Sequence, residues 1–314
     1  MRVESPPDVC YAVHFRTSRG AGGVEHDTAR AELCAATRDL PLTIIDEHPA
    51  LNRVFVQLPT SLEDDLVALM PTLGYTEALT RITREFGAGV GMRHREAQKV
   101  ERWLVGEYRR EDDRVVHELI WRADDEARME RSPHRRPFKM RIEGAVEETL
   151  SRRRRRRLSC CDAMVMLNLA RTDPGGLIVD PFAGIGGIVI EARRMSRRVL
   201  CGDIVPRLAP GLRDVGDGLA AIWDATALPL RDGCAHAVVT EPPYADEAHA
   251  DVLAAMSEIA RIMAPGATAV LLIDEEMAEE TIEAARDAGL ALTEQYTVHR
   301  AGGMTARLMV LRAG

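Results

Sequence analysis

The chain has 314 residues, 46% of them hydrophobic and 29% charged, with a formal net charge of −8. That is the composition of a globular protein, and at roughly 150 residues per domain the length allows two domains. No stretch approaches the roughly 20 apolar residues of a bilayer span, and the opening Met1-Arg2-Val3-Glu4-Ser5-Pro6-Pro7 lacks an apolar signal core, so a cytoplasmic protein without membrane contact is expected.

In chain order, the first third predicts short alternating elements. Residues 10–17 read as a strand, 24–37 as a helix, 42–45 and 54–58 as two strands, 61–70 as a helix and 76–83 as a strand. Ser61 is placed to cap the second helix, with Asp64 at its third position. The order β-α-β-β-α-β is that of a ferredoxin-like α+β sandwich. We therefore expect such a domain over residues 1–86.

Residues 87–157 predict less. A helix is expected over 100–108, a strand over 114–121 and a polar stretch over 124–130, followed by the proline-containing connector 131–138. Residues 131–157 carry 11 basic and 3 acidic side chains, whereas residues 1–130 carry 17 and 24 and residues 158–314 carry 13 and 22. One basic segment, with Arg152 to Arg157 uninterrupted, thus separates two acidic regions, and a domain boundary is expected within it. Such a run is either a solvated linker or an arm that contacts nucleic-acid phosphates with salt-dependent affinity.

From residue 158 strands and helices alternate: helix 158–169, strand 177–180, helix 188–195, strand 199–203, then strand 235–240, helix 251–263, strand 269–274 and helix 277–288. That rhythm predicts a parallel sheet covered on both faces. The ending differs, because residues 292–299 and 305–311 are two strand-like runs joined through Ala301-Gly302-Gly303, a hairpin signal. The six cysteines (Cys10, Cys34, Cys160, Cys161, Cys201, Cys234) form no Cys-x-x-Cys pair and have no histidine at zinc spacing, so reduced thiols and no metal are expected.

Two motifs sit at the carboxyl ends of predicted parallel strands, where open α/β sheets bind ligands. Asp180-Pro181-Phe182-Ala183-Gly184-Ile185-Gly186-Gly187 follows the apolar run Leu177-Ile178-Val179. Its glycines Gly184, Gly186 and Gly187 allow positive φ and close approach of backbone to a ligand. The spacing is not Gly-x-Gly-x-x-Gly, since residue 189 is valine, and no Gly-Lys-Ser/Thr is present. Asp203 closes the next strand, placed to accept from two ribose hydroxyls, and Asp224 follows another short element, placed to accept from an adenine amine. Either carboxylate could instead cap its own turn. Glu241-Pro242-Pro243-Tyr244 follows Ala237-Val238-Val239-Thr240. The carboxylate of Glu241 and the carbonyl of Pro242, fixed by the Pro242-Pro243 pair, can accept the two N–H groups of an exocyclic amine. Tyr244 offers a face for a flipped base.

The paired motifs resemble those of S-adenosylmethionine-dependent amino-methyltransferases. With the helix from 158, residues 158–244 look like the THUMP-associated tRNA guanine-N2 methyltransferases. The resemblance implies a class I methyltransferase fold over 158–314, a Rossmann-like parallel sheet with a terminal antiparallel hairpin, behind a connector or partial THUMP-like region over 87–157. It implies S-adenosyl-L-methionine as cofactor, held by Asp180, Pro181, Phe182, Ala183, Gly184, Gly186, Gly187, Asp203, Ile204, Asp224 and Ala225. It implies methyl transfer at Glu241, Pro242, Pro243 and Tyr244, with guanine N2 of tRNA or another RNA as acceptor. The family usually carries Asp or Asn where this chain has Glu241. Two alternatives stay open: N-methylation of a small-molecule or peptide amine, and a cofactor- and RNA-binding module without catalysis.

Overall fold

The computed structural model describes residues 8–16, 25–86, 113–123, 158–300 and 303–314. The expected helix 100–108, the polar stretch 124–130, the connector 131–138, the Arg152–Arg157 run and Ala301-Gly302 of the hairpin turn lie outside the described residues, as does the boundary placed within 131–157.

The first sheet follows the expected order, with β1 (Asp8–Phe15), α1 (His26–Ala36), β2 (Thr43–His48), β3 (Arg53–Pro59), α2 (Glu63–Leu69) and β4 (Thr76–Phe86). The strands lie β2-β3-β1-β4-β5, all antiparallel. The fifth, β5 (Asp113–Arg122), pairs with β4 and carries this sheet beyond residue 86. Alternation along β1 explains the two faces: Tyr11, Val13 and Phe15 enter the main core with Leu33 and Leu66, while Cys10 and Ala12 meet Phe55 and Ile82 on the other side. Ser61 does not cap α2. It lies inside a 3₁₀ turn, Thr60–Leu62, so that Leu62 takes the cap position without a side-chain bond.

The second sheet contains β6 (Leu177–Asp180), β7 (Arg198–Asp203), β8 (Ala220–Ile222), β9 (Ala235–Thr240), β10 (Met263–Asp274), β11 (Leu290–His299) and β12 (Thr305–Ala313). Its order is β11-β12-β10-β9-β6-β7-β8; the five strands from β10 to β8 run parallel, and β12 and β11 are antiparallel. The helices are α3 (Cys160–Leu169), α4 (Gly187–Arg194), α5 (Ala209–Val215), α6 (His249–Ile262) and α7 (Ala278–Asp287). Ile178 and Val239 point into the core that contains α3 and α4, whereas Val179 and Val238 meet α6 and α7, so both faces are covered.

Helix α3 joins the two sheets. Ser159 caps it by accepting from the Asp162 amide at 3.0 Å, and each of its residues is buried. Glu32 of α1 is 1% exposed. Its carboxylate accepts from the Gly74 and Tyr75 amides at 2.6 and 2.9 Å and from Asn168 of α3 at 2.9 Å. The Tyr75 hydroxyl donates to Asp162 at 2.6 Å. Gly74 leaves no room for a side chain, since a Cβ there would lie 2.1 Å from the Cys161 carbonyl oxygen.

Candidate active site

The two motifs stand side by side because β6 and β9 are hydrogen-bonded neighbours. Their ends are tied together: the Thr240 hydroxyl donates to Asp180 at 2.7 Å. Asp180 is 1% exposed. Burial pushes its carboxyl up to about 7, against the Thr240 hydroxyl and the Phe182 amide that hold it down. It therefore braces the strand ends from inside.

The glycine turn is held from three directions. Gly184 and Gly186 have φ of 52° and 83°, the left-handed region that glycine enters without strain, and the Gly186 amide donates to Ala183 at 2.7 Å. Gly187 does not share this property; it opens α4 with ordinary backbone. One Asp203 oxygen accepts from the Gly184 amide and the other from the Val205 amide, both at 2.9 Å. The Trp223 indole N–H donates to the Pro181 carbonyl at 3.0 Å. A Cβ on Gly202 would lie 2.5 Å from the Trp223 ring, so that glycine makes the packing possible.

Asp224 follows β8, a strand of 3 residues. One of its oxygens accepts from the Thr226 amide at 2.9 Å and from the Thr226 hydroxyl at 2.7 Å. Those two bonds hold its carboxyl below the usual range. Both Asp203 and Asp224 thus cap turns while facing the cleft described next.

Every candidate cofactor and substrate residue named from the sequence except Gly186 lines one cleft of about 520 Å³. Its size suits a small organic ligand, for which roughly 300–1,000 Å³ is typical. Its walls also include Leu158, Ile188, Val205, Leu208 and Thr226. Ile204, 61% exposed, stands at its edge as an uncovered apolar surface. Gly186 sits behind the turn, where a Cβ would lie 2.9 Å from Val215.

At the Glu241 end of the cleft stands a group that sequence reasoning missed. The Arg300 guanidinium pairs with Glu241, and the same Nη1 donates to the Tyr244 oxygen at 2.9 Å. The Tyr244 hydroxyl donates to the same Glu241 oxygen, Oε1, also at 2.9 Å. The guanidinium carbon lies 5.8 Å from the Tyr244 ring centre. Burial leaves the Glu241 carboxyl above its usual range, and Arg300 and Tyr244 offset only part of that rise. Arg300 itself is held firmly protonated by Glu241, Tyr244 and Asp162. Nothing in the sequence around Arg300 separates it from an ordinary surface arginine beside a hairpin.

Comparison with known proteins gives a consistent picture. Residues 157–208 match the UPF0020 family, described as an RMKL-like methyltransferase domain. A tRNA (guanine(10)-N2)-dimethyltransferase of Methanothermobacter thermautotrophicus is 36% identical over 118 residues, 36% of this chain and 31% of that protein. The enzyme of the same name from Methanocaldococcus jannaschii is 43% identical over 49 residues, 16% of this chain and 14% of that one. The matched stretches therefore span a third or less of these relatives. TrmN from Thermus thermophilus superposes with a TM-score of 0.51 at 16% identity, covering 98% of this chain and 100% of that one. The second sheet and its helices thus have the class I methyltransferase fold, placed behind an antiparallel α+β layer, and residues 157–208 carry the UPF0020 methyltransferase-domain pattern.

Proposed function

We propose that this protein is an S-adenosylmethionine-dependent N-methyltransferase that acts on an exocyclic amine, the N2 of guanine in tRNA, in the cytosol. The observation that carries the proposal is the juxtaposition of the glycine turn and the Glu241–Tyr244 turn on one cleft. The donor set fits the cofactor. Asp180, Asp203, Asp224, Glu241, Glu247 and Asp251 line the cleft against Arg207. An acidic wall suits a ligand bearing a sulfonium and an ammonium group, and it disfavours a pyrophosphate.

In this reading Asp203 and Asp224 would offer their remaining lone pairs to ribose hydroxyls and to the adenine amine, and Ile204 would give the adenine an apolar surface. When bound, the cofactor would supply an electrophilic methyl group to the amine. Glu241 and the Pro242 carbonyl accept the two N–H groups of the guanine amine. Holding both N–H groups would orient the nitrogen lone pair toward the cofactor side of the cleft, and most of the rate gain would come from this alignment. The proton released on transfer leaves through Glu241 or to solvent. The relatives' names, both for guanine-N2 dimethylation of tRNA, support the choice of substrate.

The test is incubation with methyl-labelled S-adenosylmethionine and total tRNA, followed by nucleoside analysis. Label in N2-methylguanosine or N2,N2-dimethylguanosine is expected; label in another nucleoside, or none, rejects the substrate. A second reading, methylation of a small-molecule amine, draws support from the acidic cleft itself. Salt separates the two, because tRNA affinity should fall steeply between low and moderate salt and a small amine should respond little.

A further inference from the structure

We infer that Arg300 is the positioning residue of this site: it holds the Glu241 carboxylate turned, so that one oxygen is committed to the protein and the other is left for the substrate amine. This rests on the reading of Glu241 given above and adds to it the reason the chain has a glutamate there.

The geometry carries the inference. Arg300 and Glu241 are 8% and 14% exposed, so neither side chain can turn away into water. Glu241, Tyr244 and Arg300 close a triangle in which Oε1 of Glu241 takes donors from both partners. Such doubly held oxygens fix a side chain that otherwise has three rotatable bonds. The second oxygen, Oε2, takes no donor in the described contacts and is the one left for an amine. An aspartate would be one methylene shorter, so the glutamate carries its carboxylate farther from its backbone toward Arg300. The glutamate is thus matched to the arginine.

Electrostatics give Arg300 a second role. The groups that act on Glu241 come from four elements: Asp180 at the end of β6, Asp162 in the first turn of α3, Tyr244 in its own turn and Arg300 after β11. Burial and the two aspartates disfavour the charged carboxylate and leave it raised overall, and among the described residues Arg300 is the cation that opposes them. Without it Glu241 would bind a proton at a higher pH, and a protonated carboxyl that donates from Oε2 meets the amine donor with a donor. Asp162 is itself fixed by the hydroxyl of Tyr75, the residue before β4, which ties this end of the cluster to the first layer.

The test uses the full chain and the variants Arg300→Gln and Arg300→Lys, with three readouts: S-adenosylmethionine affinity by calorimetry, methyl transfer to tRNA against pH, and the Glu241 carboxyl titration by NMR of glutamate-labelled protein. For Arg300→Gln, kcat should fall by about 100-fold, the scale of a misplaced reacting group. Its acid limb and the Glu241 midpoint should both move up by about one pH unit or more, as expected on loss of an adjacent opposite charge. KM for tRNA should change far less than kcat, and cofactor affinity should stay within about twofold, below the 1.4 kcal/mol that a tenfold change represents. Arg300→Lys should restore the acid limb to near its original pH while recovering kcat only in part, since an ammonium lacks the planar fork. Arg300→Gln with unchanged kcat and an unmoved Glu241 midpoint would overturn the inference. So would loss of cofactor binding in both variants, which would make Arg300 a scaffold residue. If the unaltered protein methylates no tRNA but the midpoint moves as stated, the substrate reading fails and the pairing stands.

Discussion

Asp180 and Glu241 occupy similar places at the carboxyl ends of two adjacent parallel strands, Asp180 as the last residue of β6 and Glu241 as the residue after β9. Their surroundings differ. Asp180 is enclosed by an uncharged hydroxyl and an amide, and burial pushes its carboxyl up to about 7. Glu241 has a buried guanidinium as partner and a tyrosine hydroxyl on the same oxygen. The contrast teaches that position in the fold places a carboxylate at the ligand edge, while its partners decide what it can do there. The acid that has no cation beside it among the described residues braces the loops; the other, although burial still leaves its carboxyl raised, has a guanidinium that holds it in place and favours its charged form.

The comparison can be broken at several points. Tyr244→Ala removes the ring and the bond to Glu241 together, and turnover should fall by about 1,000-fold or more, with cofactor affinity little changed. Tyr244→Phe removes only the hydroxyl, so a loss of about 10-fold in kcat is expected if its main part is to hold Glu241. Equal losses in the two variants, measured by steady-state methyl transfer, would assign the whole effect to that bond.

Asp180 should show its difference in stability against pH. Its folded carboxyl is raised to about 7, whereas the unfolded chain ionises near the ordinary aspartate value of about 4. Between these values the folded state holds a proton that the unfolded state has lost, so this group makes stability fall as pH rises through the window. Asp180→Asn should remove that slope in urea titrations from pH 4 to pH 7; a retained slope assigns it elsewhere. Thr240→Val cuts the bond between the two strand ends and should cost about 1 kcal/mol by the same method. Asp224→Ala is the mildest change. Asp224 is exposed and bonds only within its own turn among the described contacts, so stability should move by less than about 0.5 kcal/mol. Its cofactor affinity, measured by calorimetry, should still fall several-fold.

Much of this layout is legible in the sequence because it is local. The apolar runs before Asp180 and Glu241 mark buried strands, the glycines mark the turn, and the two runs around residues 301–303 mark the antiparallel ending. Within the first sheet, periodicity gives the β-α-β-β-α-β order. What escaped depends on distance along the chain. Arg300 meets Glu241 across 59 residues, and Trp223 meets Pro181 across 42. Neither partner carries a local signal, because an arginine beside a hairpin and a tryptophan after a short strand are common in other roles. The 3₁₀ turn over Thr60–Leu62 displaces Ser61 from its expected cap, and such turns at helix starts carry no side-chain signature.

The most direct measurement compares Glu241→Gln with the unaltered protein in one preparation, reading S-adenosylmethionine affinity and methyl transfer to tRNA together. The amide keeps the size of the side chain but replaces one acceptor with a donor and removes the charge that Arg300 pairs with. Cofactor affinity within about twofold and turnover lower by about 100-fold or more is the result expected of an acceptor that aligns the amine. Turnover equal to that of the unaltered protein would contradict the account, because the nitrogen would then be held by something other than this carboxylate.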